Sequence, residues 1–166
     1  LHVLHGEVVL EVFDERPGRP RDLPDLLGDL SFVPQERSAV PNRLALSVRP
    51  AACGSLSRPV GLVVSNDDGV QVEHVGEDSY VTCGASLLHV EARDGRATAQ
   101  IVPSFEQRPL ELRHRFWAYG VVTLLRQRGL YALHAAGVTT PRGHHLLLVG
   151  PSGSGKSTLT IGLIRA

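Results

Sequence analysis

From Val60 to Val102, apolar and polar residues alternate in short runs set apart by turn residues. VGLVV is a compact apolar run. NDDG follows it and offers Asp68-Gly69 as a tight turn dipeptide. VQVEHV then alternates, with Val70 and Val72 on one face, and YVTC and SLLHVEA continue the pattern. Asp94-Gly95 marks a second hairpin turn before RATAQIV, where Ala97, Ala99 and Ile101 share a face. This period of two predicts a half-buried meander of four or five antiparallel strands.

At about Pro109 the period changes to that of a helix and holds to Arg128. Phe116, Trp117, Gly120, Val121, Leu124 and Leu125 line one face, and Gly129 stops the helix. Arg113, Arg115, Arg126 and Arg128 flank that face and read as a solvated surface. LYALHAAGVTT, a turn at PRGH and HLLLVG then predict a β-hairpin or a tightly linked strand pair. LLLV is continuously apolar, as expected of a strand covered on both faces. KSTLTIGLIRA begins a last helix, with Leu159 and Leu163 one turn apart.

The first fifty residues are less regular. HVLHGEVVLEVF alternates as a strand does. DERPGRPRDLPDLLGDL, rich in proline and charge, reads as a loop with one short helix, and VPQERSAVPNRLALSVRP holds one more strand.

Composition narrows the function classes. Seventeen basic and seventeen acidic residues cancel, which argues against a broad basic surface for nucleic acid. No apolar run approaches the roughly 18 residues that a membrane helix needs. The N-terminus has no basic lead-in or cleavage site of a signal peptide, so the expected setting is cytoplasmic. Cys53 and Cys83 are too few and too far apart for a disulfide framework or a zinc site and read as reduced thiols. His2, His5, His74, His89 and His114 show no metal-ligand spacing, and His144 and His145 fall at a turn.

Of the seventeen basic residues, sixteen are arginine and one is Lys156. That lysine completes Gly150-Pro151-Ser152-Gly153-Ser154-Gly155-Lys156-Ser157, which fits the phosphate-binding pattern G-x-x-x-x-G-K-[ST] at every fixed position. Gly150, Gly153 and Gly155 allow the backbone to curl so that successive N–H groups face inward. The helix that follows adds unpaired N–H groups and the positive end of its dipole. Lys156 is placed to reach the β- and γ-phosphates as a compact charge, which the planar guanidinium of arginine would not match. The Ser157 hydroxyl is placed to be one ligand of Mg²⁺. An apolar strand before the loop and an apolar-periodic helix after it supply the context that the motif requires.

LHAAGV, a short turn, LLLVGPSGSGKST and an apolar helix ending in LIRA resemble the kinase domain of HPr kinase/phosphorylase and its relatives. The resemblance covers residues 109 to 166. It implies a PEPCK/HPr-kinase-like P-loop domain, with Gly150 through Thr158 binding ATP, Lys156 as the catalytic lysine and Ser157 as the metal-binding hydroxyl. It also implies a role for His134 near the transferred phosphate. Thr158 stands where HPr kinase/phosphorylase itself has glutamate, which favours the looser kinase-like relatives. The family's paired aspartates have no counterpart here, since no acidic residue follows Ser157. With no methionine in the chain, the expectation is a fragment whose catalytic carboxylates lie beyond Ala166.

The fold expected is therefore α/β. A β-rich region over 1–106 is followed over 107–166 by the start of a P-loop nucleotide-binding domain. The expected function is transfer of the ATP γ-phosphoryl to a serine hydroxyl of a protein or peptide, with Mg²⁺ as cofactor. The alternatives are an ABC-type ATPase, whose Walker A often reads GPSGSGKST, and a module that binds nucleotide without catalysis. A homo-oligomer is left open.

Overall fold

The computed structural model describes residues 1–4, 8–18, 22–30, 32–36, 39, 41–52, 60–133, 135–151 and 153–165. The architecture is mixed α/β, with one large sheet and few helices. Two compact units divide after Leu130, residues 1–130 and 131–166.

The two-residue periodicity becomes a five-stranded antiparallel meander. It runs through β5 (Leu62–Asp67), β6 (Val70–Val75), β7 (Asp78–Cys83), β8 (Ser86–Glu91) and β9 (Arg96–Ile101). Left-handed residues make its turns. Asp68 (φ 42°) and Gly69 (φ 98°) join β5 to β6, as two-residue hairpins demand. The link from β8 to β9 is longer, and Gly95 supplies its positive φ of 63°.

The less regular N-terminal stretch adds β1 (His2–Leu4), β2 (Val8–Asp14), α1 (Asp22–Asp29), β3 (Phe32–Pro34) and β4 (Arg43–Pro50). The first alternating run is two strands rather than one. β1 and β2 pair antiparallel, with Val3 opposite Val9. β2 runs parallel to β4, because the chain between them crosses over through α1. β9 closes onto the other side of β4, again in parallel. The nine strands lie in the order β3-β1-β2-β4-β9-β8-β7-β6-β5.

Register decides what is buried. Val72, Val81, Leu88, Ala99 and Val48 are successive cross-strand partners, and all lie in the core. Helix α2 (Leu110–Arg126) packs on this row. Its buried residues are Phe116, Trp117, Gly120, Val121, Leu124 and Leu125, the face read from the sequence. Gly120 is where the helix comes closest to the sheet, since a Cβ there would stand 2.4 Å from Leu88 Cδ1. Gly129, at φ 72°, follows the helix end. Phe105 meets Phe116 and Trp117 edge-on at ring-centre distances of 5.0 and 5.9 Å. Burial of each such side chain contributes about 1.5–3 kcal/mol.

Helix α2 groups with the sheet of the first unit. One expectation about it changes: its arginines are not a uniformly solvated surface. Arg113 pairs with Glu106 at 3.2 Å and approaches Asp22 at 3.7 Å, while Arg115 pairs with Asp67 at 3.0 Å. Arg128 donates to the Arg43 carbonyl. Asp22, Asp67 and Arg43 lie far away in sequence and Glu106 lies before the helix, so helical periodicity could not reveal them.

In the second unit, β10 (Ala135–Thr139) and β11 (His145–Val149) form the expected hairpin, with Gly137 opposite Leu147. Helix α3 (Lys156–Arg165) follows the loop and lies beside β10. The expectation that LLLV is covered on both faces is corrected, because Leu147 is 61% exposed and Leu146 and Val149 are exposed as well. A single hairpin and one helix offer too little surface to cover that run, and none of the described residues of α3 is buried. Among the described residues, no helix is long and apolar enough to cross a membrane.

Candidate nucleotide-binding site

β11 delivers the chain to Gly150, and α3 begins at Lys156, so the loop between them spans a strand end and a helix start. Gly153 and Gly155 have φ of 78° and 80°. Ser154 between them is not in the left-handed region. Alternating sign of φ along three residues curls the backbone, as it does in the nests whose N–H groups receive anions. Only glycine enters the left-handed region without steric cost, so the two positions fix the curl.

Other loop geometry is set locally. The Ser154 N–H donates to the Pro151 carbonyl at 3.2 Å, closing a turn. A Cβ on Gly150 would stand 2.8 Å from Ser154 Oγ, so a side chain at 150 would displace that hydroxyl. The first intrahelical bond runs from Leu159 N–H to the Gly155 carbonyl at 2.9 Å. The N–H groups of Lys156, Ser157 and Thr158 precede it and have no acceptor within the helix, as at every helix start.

The ammonium of Lys156 donates to the carbonyls of Gly150 and Pro151, both at 2.8 Å. The sequence did not announce these contacts. They tie the end of the loop to its beginning and hold the lysine against the cradle. An ammonium has three donors, so one N–H remains for an anion. An open cavity of about 480 Å³ adjoins the lysine, lined by Leu147, Val149, Gly150, Ser154, Gly155 and Leu159 among others.

Electrostatics favour an anion here. Residues 131–166 carry Arg142, Lys156 and Arg165 and no Asp or Glu. The lysine and the helix start therefore face no carboxylate of their own unit, and phosphate oxygens would meet uncompensated positive charge. For Mg²⁺, this unit offers one side-chain oxygen at the predicted position, that of Ser157, and the remaining ligands would be phosphate and water oxygens. Among the described residues, no group of three or more His, Cys, Asp and Glu could hold a metal ion.

The structure thus brings Gly150, Pro151, Gly153, Ser154, Gly155, Lys156, Ser157 and Thr158 into one continuous strand–loop–helix segment. Ser152 and His134 lie outside the described residues, as does Cys53. His144 and His145 are exposed at the hairpin turn, where a His145 ring nitrogen lies 3.0 Å from Thr139 Oγ1.

Comparison with family models, with curated proteins and with solved structures finds no match to this chain.

Proposed function

We propose that residues 150–158 bind the polyphosphate of ATP, and that the protein is a kinase of the HPr-kinase-like kind. It would pass the γ-phosphoryl group to a serine hydroxyl of a protein or peptide. One observation carries the binding reading: left-handed Gly153 and Gly155 directly precede a helix whose first residue, Lys156, is held against the loop by two carbonyls. Backbone donors, helix start and ammonium converge on the same small volume, and no carboxylate of that unit competes for them. A cytoplasmic setting goes with ATP as the ligand.

In this reading the loop amides and Lys156 orient the phosphates and neutralise the charge that develops during transfer. Bound Mg²⁺ would supply further charge neutralisation, with Ser157 as its side-chain ligand. The serine oxygen would bond to the γ-phosphorus as the bond from that phosphorus to the bridging β-phosphate oxygen breaks; ADP leaves, and the hydroxyl proton passes to water. The resemblance to HPr-kinase-like sequences is what points to a serine acceptor.

A second reading is nucleotide binding without transfer, for which the curled loop and Lys156 suffice. One experiment separates the readings. The chain is incubated with ATP, Mg²⁺ and serine-containing protein substrates, and the products are analysed by mass spectrometry. Phosphoserine supports the kinase. ADP and phosphate without phosphoprotein indicate an ATPase, and bound but unreacted ATP indicates the binding module.

A further inference from the structure

Helix α2 packs on one face of the large sheet, and the opposite face carries a cavity. Leu44, Leu46 and Val48 of β4 are buried in the core, so Ala45 and Ser47 between them project from that opposite face. Their cross-strand partners are mostly larger. Ala45 lies between Glu11 of β2 and Arg96 of β9, and Ser47 lies between Phe13 and Thr98. Two small residues between taller neighbours leave a trough along β4, where an open cavity of about 430 Å³ lies. Phe13 walls it on the β2 side and is 54% exposed, an aromatic ring left facing the opening. On the other side, Glu91 of β8, the partner of Arg96, also lines it. Two of the charges along the trough are already matched: Glu11 pairs with Arg43, and Arg49 lies 3.6 Å from Glu15. Two are not. The Cβ atoms of directly opposite strand residues stand about 4.5–5.5 Å apart, yet Glu91 and Arg96 form no ion pair with each other or with any other described residue.

We propose that this trough binds a free α-amino acid with an apolar or aromatic side chain. Charge selects the ligand. One unmatched cation and one unmatched carboxylate stand side by side, and an α-amino acid carries the complementary two charges on a single carbon. The Arg96 guanidinium offers its planar fork to the ligand carboxylate. The Glu91 carboxylate accepts from the ligand ammonium. The ligand side chain then lies over Ala45 and Ser47 and reaches toward the Phe13 ring. From β9 to β2 is two strand spacings, about 10 Å, a gap that an aromatic side chain and the Phe13 ring fill together. A simple carboxylic acid would bring its charge beside Glu91 with nothing to offset it, and a simple amine would do the same to Arg96. This inference does not depend on the nucleotide site.

Calorimetric titration of L-phenylalanine and of L-leucine into the full chain tests it, with phenylacetate and phenethylamine as controls that each keep one charge. The expected result is saturable one-to-one binding of at least one of the two amino acids. Binding should be weaker by about tenfold or more in Arg96→Gln and in Glu91→Gln, since each loses one charge-assisted contact. Both single-charge controls should bind the wild type more weakly than L-phenylalanine does, or not at all. Neither substituted side chain is buried, so the fold should persist, and an unchanged circular dichroism spectrum checks that it does. Arg93→Gln, which removes an exposed arginine paired with Glu77 away from the cavity, should leave binding as it is. Absence of binding by both amino acids overturns the proposal. So does affinity that survives both charge substitutions, or a single-charge control that binds as tightly as L-phenylalanine.

Discussion

The indole N–H of Trp117 donates to Asp22 Oδ2 across 2.8 Å, and both side chains are buried where α1 meets α2. The Asp22 carboxylate also lies 3.9 Å from the Arg16 guanidinium and 3.7 Å from that of Arg113. Arg16 in turn sits 5.2 Å above the Trp117 ring and bonds Asp14 and Glu106. An aspartate in a helical first turn reads from sequence as an ordinary N-terminal charge. Here it anchors one helix to another inside the first unit.

Trp117→Phe keeps most of the apolar bulk and removes the donor. The Asp22 carboxylate then loses its only hydrogen bond within 3.0 Å among the described contacts. Leaving a buried charged acceptor short of a partner costs about 1–3 kcal/mol. The urea midpoint should fall by a corresponding amount with the slope unchanged. An unaltered midpoint would show that the bond contributes nothing.

Gly120→Ala tests how closely α2 lies on the sheet. Alanine favours a helix over glycine by about 1 kcal/mol, yet its Cβ would meet Leu88 Cδ1 at 2.4 Å and Cδ2 at 3.0 Å. Overpacking of this kind costs about 1–3 kcal/mol, so the variant should be less stable. Because the clash is with Leu88, adding Leu88→Ala should make Gly120→Ala less harmful, or even favourable. A double-mutant cycle reads that coupling, and additive effects would contradict the contact.

Much of this fold is legible in the sequence, for identifiable reasons. The buried face of α2 follows from period alone, because Phe116, Trp117, Gly120, Val121, Leu124 and Leu125 recur with helical spacing. The β5–β6 hairpin is local too, since Asp68-Gly69 fixes its turn. The parallel pairings of β4 with β2 and β9 are not legible, because they join segments separated by whole elements. The approach of Arg113 to Asp22 and the pairing of Arg115 with Asp67 are hidden for the same reason: those carboxylates come from other elements. In the loop, the glycines and the lysine are legible as a motif. The contacts of Lys156 with the Gly150 and Pro151 carbonyls are not, because backbone acceptors leave no trace in residue identity.

Acid should expose the contribution of Asp78. The Ala92 backbone N–H, then the His89 ring, hold this carboxyl below the usual range by bonding it at 3.0 and 2.8 Å. A folded-state pKa below the unfolded one means stability that is fully present above about pH 4, the ordinary value for aspartate. It is lost as pH falls through the lower folded value. Asp78→Asn should therefore lower stability near neutrality and make its decline in acid shallower. Parallel acid limbs for the two proteins would show that Asp78 has no such part.

Glycines of the second unit should divide by conformation. Gly153→Ala places a Cβ in open space but at a φ of 78°, a strain of about 1–2 kcal/mol. It should weaken nucleotide binding. Gly162 lies within α3, has open space around it and needs no positive φ. Gly162→Ala should raise helicity by about 1 kcal/mol and leave binding as it is. Circular dichroism with an ATP titration checks both, and equal effects at the two sites would refute the distinction.

The central claim is that loop amides and the chain's single lysine, Lys156, hold the phosphates of ATP. Calorimetric titration of ATP and Mg²⁺ into the wild-type chain and into Lys156→Ala tests it most directly. The account predicts saturable one-to-one binding by the wild type and a loss of about 2–5 kcal/mol in the variant. No binding by the wild type, or equal affinity in both proteins, would contradict it.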